Sequence, residues 1–468
     1  MSSLILALWG MLALHATAPS LPAGAPDTAL WTELDSLVDT AFTKGGQFSA
    51  CALRVRDGAL LWGRLPQARQ MPASTEKIFT TEAALRVLGP DFRFVTSLYG
   101  RGAQKGKDWI GDLVLVGGGD PTLGSEWGAT LTPLATALSK LGIRHVTGRL
   151  IALDTLAGPA PWGIWPPDWT FGNARDAYGA PIAGLNWNLN RDGWKPTQEP
   201  RELALKALRQ FLSRRGVTVA GSDTILVRGD SGAALGRSWT WLGQVRSPAL
   251  GATLRPFLAE SINQVGEALV LRMGAGFNKP REEPREAGMR RLRSNLVAVG
   301  VRMAVLDIHD GSGLSRYDAV TTGEMAALLR RSWLAAGTSR TVDYLAAGGQ
   351  GTLRKRFRRL PDPSWVIAKT GTLSRVSNLA GILRVPGRDT VAFAIFCQNY
   401  LSGAASMRVL QDKIVSLLAG VPIRASIPEE EEDDDSLPAR PREPIWPRLE
   451  SETGISPFSA WRWDPVFP

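Results

Sequence analysis

The sequence predicts a mixed fold of helices and strands, of the α/β (α+β) class, in which a region of short strands interrupts the rest of the chain. Residues 77–88 place apolar side chains at helical spacing and stop at Gly89-Pro90, which predicts a helix. From about residue 94 the pattern changes to short alternating stretches separated by turns, and helical spacing returns after residue 247. We therefore expect an inserted, mostly β unit at residues 94–247.

Individual elements are predicted on both sides of this unit. Residues 29–42 have the spacing of an amphipathic helix, and Asp57-Gly58 is a turn signal between two strands. Near the other end, residues 376–398 predict two strands divided by Pro386-Gly387, and residues 408–418 predict a closing helix. Inside the unit we expect strands at residues 95–99, 110–116, 149–153 and 224–227.

The two ends of the chain differ from its body. Residues 3–14 are apolar but too short to span a bilayer, and Ala16-Thr17-Ala18 is a small-residue cleavage pattern, so residues 1–18 are predicted to be a signal peptide. No Lys or Arg precedes the apolar run, which leaves an uncleaved anchor or a misplaced start codon as alternatives. Residues 427–468 combine seven consecutive acids with many prolines, which predicts a disordered tail.

Charge is distributed unevenly over the 468 residues. The formal net charge is +10, but residues 429–468 hold 4 arginines and 11 acids, a net of −7, so the remainder carries +17. A basic exported surface fits an anionic polymer such as cell-wall glycan peptides, or a membrane face. The export signal disfavours nucleic acid as a partner, and an arginine-rich source organism is the alternative explanation. The basic run at residues 354–359 is more typical of a solvated face than of a polymer-binding patch, which stays the alternative.

Cysteine and histidine are too sparse for several kinds of site. Cys51 and Cys397 lie in strand-like stretches and are expected to be buried free thiols, although a disulfide is open to an exported protein. The three histidines are His15, His145 and His309, and the first lies in the predicted signal. So few histidines disfavour a His-ligated metal site and a Ser-His-Asp triad, and we predict no metal and no cofactor.

Three short motifs instead contain side chains that are able to catalyse a reaction or bind a substrate. Ser74 and Lys77 stand three residues apart at a predicted helix start, where a helix cap is the alternative interpretation. Ser261 and Asn263 open another predicted helix. Residues 369–372, Lys-Thr-Gly-Thr, follow a predicted strand, and a substrate lying along that strand would gain backbone hydrogen bonds.

Together, and in this order, Ser-x-x-Lys, Ser-x-Asn and Lys-Thr-Gly resemble the active-site set of the penicillin-recognising serine enzymes. The flanking sequence is similar to the class C low-molecular-mass penicillin-binding proteins, the D-alanyl-D-alanine carboxypeptidase/endopeptidase family. The likeness runs from about residue 31 to residue 418 and is carried by residues 111–123, 178–181, 310–315 and 351–353.

This resemblance implies a fold and an activity. The fold is a transpeptidase/β-lactamase-like domain, with an antiparallel sheet flanked by helices, built from residues 27–93 and 248–420. The activity is that of an exported serine D-alanyl-D-alanine carboxypeptidase, with endopeptidase activity as an open addition. The implied partners are peptidoglycan stem peptides and β-lactam inhibitors.

The resemblance also implies roles for the motif residues. Ser74 would attack the carbonyl between two D-alanines, and Lys77, desolvated and near Lys369, would have a depressed pKa and take the proton. Ser261 would relay this proton to the leaving amine, while Asn263 would hold Lys77 and the substrate amide.

The strand residues would bind the substrate. Lys369 and Thr370 would hold its terminal carboxylate, and Gly371 would leave room for it. The backbone N–H groups of Ser74 and Thr372 would form the oxyanion hole.

Two rival functions stay open at this point. A β-lactamase or esterase on the same fold would need a group that activates water for rapid deacylation, and the sequence does not identify one. A catalytically silent wall-binding scaffold would use only the basic body and the tail.

Overall fold

The computed structural model describes residues 27–158, 164–193, 195–227, 239–276, 282–337 and 340–423. The predicted signal peptide and the predicted acidic tail lie outside the described residues. The helices are α1 (Thr28–Ala41), α2 (Lys77–Leu88), α3 (Thr132–Lys140), α4 (Pro200–Arg214), α5 (Leu250–Ala259), α6 (Asn263–Gly274), α7 (Pro284–Ala298), α8 (Thr322–Leu334) and α9 (Ala404–Leu418). The strands are β1 (Gln47–Arg54), β2 (Leu60–Arg64), β3 (Arg69–Gln70), β4 (Val95–Lys105), β5 (Asp108–Val116), β6 (His145–Val146), β7 (Leu150–Asp154), β8 (Arg191–Asp192), β9 (Lys195–Pro196), β10 (Thr218–Val219), β11 (Asp223–Val227), β12 (Thr240–Arg246), β13 (Val320–Thr321), β14 (Ala346–Ala347), β15 (Val366–Leu373), β16 (Val376–Leu383) and β17 (Val391–Gln398).

The main sheet is antiparallel and joins both parts of the chain that flank the inserted unit. Its order is β14-β15-β16-β17-β1-β2, so the hairpin predicted around Asp57-Gly58 pairs with strands from the far end of the sequence. β16 and β17 are buried along their whole length. Because successive side chains of a strand point to opposite faces, Phe393 packs toward α1 and α9, whereas Phe396 packs toward α2 and α5–α8. The expected antiparallel sheet with helices on both faces is confirmed.

The inserted unit has its own sheet and core, and strands make up most of its regular structure, as expected. Its seven-stranded sheet consists of β4, β5, β6, β7, β10, β11 and β12, and two helices, α3 and α4, pack on it. β5 pairs with β6 and β7 in parallel, and β6 pairs with β10 in parallel. Parallel neighbours need crossover connections, and helices commonly form them.

Both cysteines are buried free thiols, as expected. Cys51 lies on β1 and Cys397 on β17, and burial raises the pKa of each thiol to about 12. Among the residues that the structure describes, no helix has both the length and the apolar character needed to cross a bilayer.

Candidate active site

Ser74 lies in a short 3-10 turn, Ala73–Glu76, that leads directly into α2. The turn is anchored to the main sheet, because the Asn378 amide donates hydrogen bonds to the carbonyls of Met71 (2.8 Å) and Pro72 (2.9 Å). Ala73 has a φ of +46°, a conformation that costs free energy for a residue with a side chain and persists where its surroundings impose it. Ser74, which directly precedes Thr75, therefore lies on a strained turn that hydrogen bonds hold against the main sheet.

Lys77, the first residue of α2, is fully buried and contacts three oxygens. Its Nζ lies 2.9 Å from Ser74 Oγ, 2.6 Å from Asn263 Oδ1 and 2.6 Å from the carbonyl oxygen of Ser312. The last two oxygens can only accept hydrogen bonds. In its neutral form the amine could donate its two hydrogens to these oxygens and accept the proton of the Ser74 hydroxyl with its lone pair.

Asn263 is oriented by the inserted unit. It begins α6, and its amide nitrogen donates to the carbonyl of Tyr178 at 3.0 Å, which leaves its oxygen facing Lys77. Ser261 precedes it in the link between α5 and α6, half-buried and with a φ of +60°. The structure thus brings Asn263 into direct contact with Lys77, while Ser261 lies two residues away in a constrained link.

The Lys-Thr-Gly-Thr motif lies within β15. Lys369 is fully buried, and its Nζ donates to the Thr370 carbonyl at 2.9 Å. On the outer side of β15, β14 pairs only with Ile367 and Ala368, so no strand among the described residues pairs with that edge from residue 369 onward. The edge that we expected to face a substrate is therefore left without a strand partner.

The missing side chain of Gly371 makes room for another part of the chain, and the room for a substrate that we expected stays a prediction. A Cβ at this position would lie 2.7 Å from the Pro72 carbonyl oxygen and 3.1 Å from the Thr75 nitrogen. The glycine makes room for the turn that carries Ser74, and it lets β15 pack directly against that turn.

Burial depresses the pKa of both lysines. Burial lowers the pKa of Lys77 to about 8, although the nearby carboxyl groups of Glu76 and Asp310 oppose this shift. Burial also lowers the pKa of Lys369 well below its usual value, and the positive charge of Lys77 lowers it further. Burial, rather than the second cation, is thus the main cause of the depressed pKa that we expected for Lys77.

Sequence reasoning treated residues 310–315 only as a turn near the site and a point of family likeness. In the structure, Asp310 is buried and its carboxylate accepts hydrogen bonds from the backbone N–H groups of residues 312–315 at 2.6–3.0 Å. This fixes the loop whose Ser312 carbonyl accepts from Lys77. The indole of Trp169, from the inserted unit, also donates to Asp310 at 2.8 Å.

Asp310 belongs to a buried group of carboxyls behind Lys77, which the sequence did not reveal. Burial, followed by the charge of Asp310, raises the pKa of Glu76 and of Asp318 well above the usual value. The same two causes raise the pKa of Glu267 to about 7. These groups therefore hold protons at pH values where an exposed carboxyl is ionised.

The site is thus assembled from four distant segments. Ser74, Lys77 and Asn263 are in direct contact, Lys369 is close enough for its pKa to respond to Lys77, and Thr370 Oγ1 lies 2.9 Å from Thr352 Oγ1. Thr372 is exposed on the same strand. The arrangement pairs a nucleophile with a buried amine of lowered pKa, which is the chemistry of acyl transfer.

Comparison with known proteins gives the same picture. The model of the D-Ala-D-Ala carboxypeptidase 3 (S13) family matches residues 32–195 and 190–421. A D-alanyl-D-alanine carboxypeptidase from Actinomadura sp. (strain R39) is 30% identical, over 85% of this chain and 85% of its own length. Carboxypeptidase DacB from Mycolicibacterium smegmatis is 29% identical, over 73% of this chain and 74% of its own length.

Solved structures show a similar fold. Penicillin binding protein 4 (dacB) from Haemophilus influenzae superposes with a TM-score of 0.71 at 20% identity, covering 82% of this chain and 99% of that one. A penicillin G acylated predatory endopeptidase from Bdellovibrio bacteriovorus superposes with a TM-score of 0.52 at 15% identity, covering 80% and 92%. By the family match and by its relatives, the chain belongs to the D-Ala-D-Ala carboxypeptidase 3 (S13) family of serine peptidases.

Proposed function

We propose that this protein is a serine D-alanyl-D-alanine carboxypeptidase that removes the terminal D-alanine from peptidoglycan stem peptides through a Ser74 acyl-enzyme. The observation that carries the proposal is the set of contacts of Lys77. Its buried amine has two fixed acceptors, Asn263 Oδ1 and the Ser312 carbonyl, and its third contact is the Ser74 hydroxyl at 2.9 Å.

In the proposed acylation step, Ser74 is the nucleophile and Lys77 is the base. Lys77 takes the Ser74 proton as Ser74 Oγ bonds to the carbonyl carbon between the two D-alanines. The C–N bond then breaks, and the proton passes from Lys77 through Ser261 to the leaving amine. Backbone N–H groups of Ser74 and Thr372 stabilise the oxyanion, at about 3 to 4 kcal/mol per donor.

Substrate binding uses β15. Lys369 and Thr370 bind the terminal carboxylate of the peptide, while the backbone from residue 369 onward pairs with the peptide along the open edge. Water then attacks the acyl ester and releases the shortened peptide. A β-lactam that acylates Ser74 in the same way blocks this cycle.

The decisive experiment is intact-mass analysis after incubation with a penicillin, followed by peptide mapping. We expect one adduct, on the peptide that contains Ser74, together with release of D-alanine from a D-alanyl-D-alanine peptide. Ser74→Ala should lose both. Full D-alanine release by Ser74→Ala, or a wild type that neither labels nor releases D-alanine, would reject the proposal, and the second result would favour the scaffold.

The lifetime of the adduct separates the peptidase from a β-lactamase. An adduct that survives for hours supports the peptidase, whereas one that turns over in milliseconds supports the lactamase. Incubation with cross-linked muropeptides measures the endopeptidase activity directly.

We also propose that the protein is exported to the cell envelope, in the periplasm or an equivalent compartment. The support is the apolar run at residues 3–14 followed by Ala16-Thr17-Ala18. Mass analysis of the protein from the envelope fraction should show a chain that begins just after residue 18. Recovery of the full-length chain from the cytoplasmic fraction alone would contradict export.

A further inference from the structure

Thr352, whose hydroxyl contacts Thr370, is followed in the sequence by a cationic surface that the proposed function does not use. Within residues 351–360 the apolar side chains of Leu353, Phe357 and Leu360 are buried in the core beneath α9. The intervening Arg354, Lys355 and Arg358 are exposed, and Arg359 is half-buried. We define Arg354, Lys355, Arg358 and Arg359 as the cationic surface.

This surface is held rigidly. Arg356, in the middle of the run, is buried and pairs with Asp412 of α9 at 2.8 Å, and Asp412 also accepts from the Phe357 amide. The other nearby carboxyl in sequence, Asp362, caps the amide of Ser364. The pair of Arg356 with Asp412 therefore anchors the run of residues 354–359 to α9.

The C-terminal part of the chain starts close to this surface. From Asp412 to the end of α9 at Leu418 is about 9 Å along the helix axis. Val421 and Ile423 then pack on the same core cluster as Phe357 and Leu360. From residue 423 to the first of the seven acids, Glu429, an extended chain spans up to about 20 Å.

The charges of the two segments are complementary. Residues 429–435 are four glutamates followed by three aspartates, and the cationic surface presents three arginines and a lysine. Since a short tether raises the effective concentration of one segment at the other, even weak ion pairs suffice for binding within the chain. We propose that the acidic segment 429–435 docks on the cationic surface of the same molecule.

Docking would place negative charge beside the active-site strand, because Thr352 contacts Thr370 and the surface starts two residues later. The docking itself does not depend on the proposed function. It concerns where the acidic segment lies, and it can be tested without any substrate.

The test is zero-length carbodiimide cross-linking of the full-length chain, which joins an amine to a carboxyl group only where the two are in contact. Lys355 is the one lysine of the surface, and Lys105, Lys107 and Lys140 are exposed comparators in the inserted unit. We expect a peptide that links Lys355 to residues 429–435, with a yield independent of protein concentration. The link should be largely lost at about 1 M salt, where the Debye length is about 3 Å.

Matched variants make the result specific. Arg354→Ser with Arg358→Ser should lower the Lys355 cross-link several-fold, whereas Arg214→Ser with Arg215→Ser, in the inserted unit, should leave it unchanged. Thermal unfolding of each variant checks that the fold is retained. Absence of the Lys355 link, equal coupling to Lys105, Lys107 and Lys140, or links that form only between molecules as concentration rises would each overturn the proposal.

Discussion

Gly313 packs against Ala73 so closely that a Cβ at residue 313 would lie 1.9 Å from the Ala73 carbonyl oxygen. Gly313 also has a φ of +76°, a conformation that residues with a side chain rarely adopt. The loop that supplies the Ser312 carbonyl and the turn that carries Ser74 are therefore fitted to each other at this glycine.

Gly313→Ala should disrupt this fit. We expect a loss of about 2–5 kcal/mol in the free energy of unfolding, because alanine is strained at this φ and its methyl group meets backbone that cannot move aside easily. The rate of penicillin acylation should fall more than the loss of stability explains, since the turn of Ser74 must shift. Denaturant titration and single-turnover acylation measure the two effects.

Gly142→Ala is the matched control for Gly313→Ala. Gly142 has a φ of +78°, but nothing lies within 4 Å of its missing Cβ. The control should show only the backbone cost, roughly 1–2 kcal/mol, and normal acylation. Equal acylation by both variants would show that the contact of Gly313 with Ala73 does not position Ser74.

The pKa of Lys77 predicts how acylation depends on pH. Since burial lowers this pKa to about 8, the neutral amine that accepts the Ser74 proton forms as the pH rises through that value. The rate of acylation should therefore increase up to about pH 8 and level off above it. Stopped-flow labelling with a fluorescent penicillin measures this profile.

Lys77→Arg and Lys369→Arg separate the two lysines. An arginine at residue 77 stays charged, so acylation should fall by about 10²- to 10⁴-fold and lose its rise toward pH 8. Lys369→Arg places a permanent charge at the position that we assign to carboxylate binding and should keep the inflection. An inflection that disappears in Lys369→Arg would identify Lys369, not Lys77, as the titrating base.

Asp310→Asn tests the carboxyl that organises the 312–315 loop. The four backbone N–H groups use both carboxylate oxygens, and an amide nitrogen in place of one oxygen would face donors. We expect a loss of about 1–3 kcal/mol in the free energy of unfolding, together with slower acylation.

Asp318→Asn provides the comparison for Asp310→Asn. Burial and the charge of Asp310 raise the pKa of Asp318 well above its usual value, so at pH values below that raised pKa the change to a neutral amide removes little charge. Denaturant titration should therefore show a smaller loss for Asp318→Asn. The reverse order would mean that Asp310 does not organise the loop.

The parts of the site that depend on residue type could be predicted from the sequence. Ser74, Lys77, Asn263 and the strand at residues 369–372 were chosen because their side chains carry chemistry in a recognisable order, and the fold that this order implied is confirmed. The roles assigned to these residues stay predictions.

The partners that fix Lys77 could not be found in this way. The carbonyl of Ser312 accepts a hydrogen bond from Lys77, and the carbonyl of Tyr178 accepts one from Asn263, which in turn contacts Lys77. Both are backbone groups, which every residue type provides. The fit of Gly371 against the Ser74 turn depends on how β15 packs in three dimensions, which local sequence does not specify. Glu76 was missed because its neighbours Asp310 and Asp318 are more than 200 residues away in the sequence.

The variant Glu76→Gln tests how this buried carboxyl affects the pKa of Lys77 and thereby the rate of acylation. At pH values where Glu76 is ionised, its charge raises the pKa of Lys77, in opposition to burial, so Glu76→Gln should lower the pKa of Lys77 there and move the inflection of the acylation profile to lower pH. Glutamine is nearly isosteric and can still accept the hydrogen bond that Thr80 Oγ1 donates at 2.9 Å, so the packing of α2 is retained. Glu82→Gln, farther along α2 and hydrogen-bonded to Thr341, is the matched control and should leave the inflection unchanged. An inflection that stays in place or moves to higher pH in Glu76→Gln would show that Glu76 is already neutral beside Lys77 and does not set its protonation.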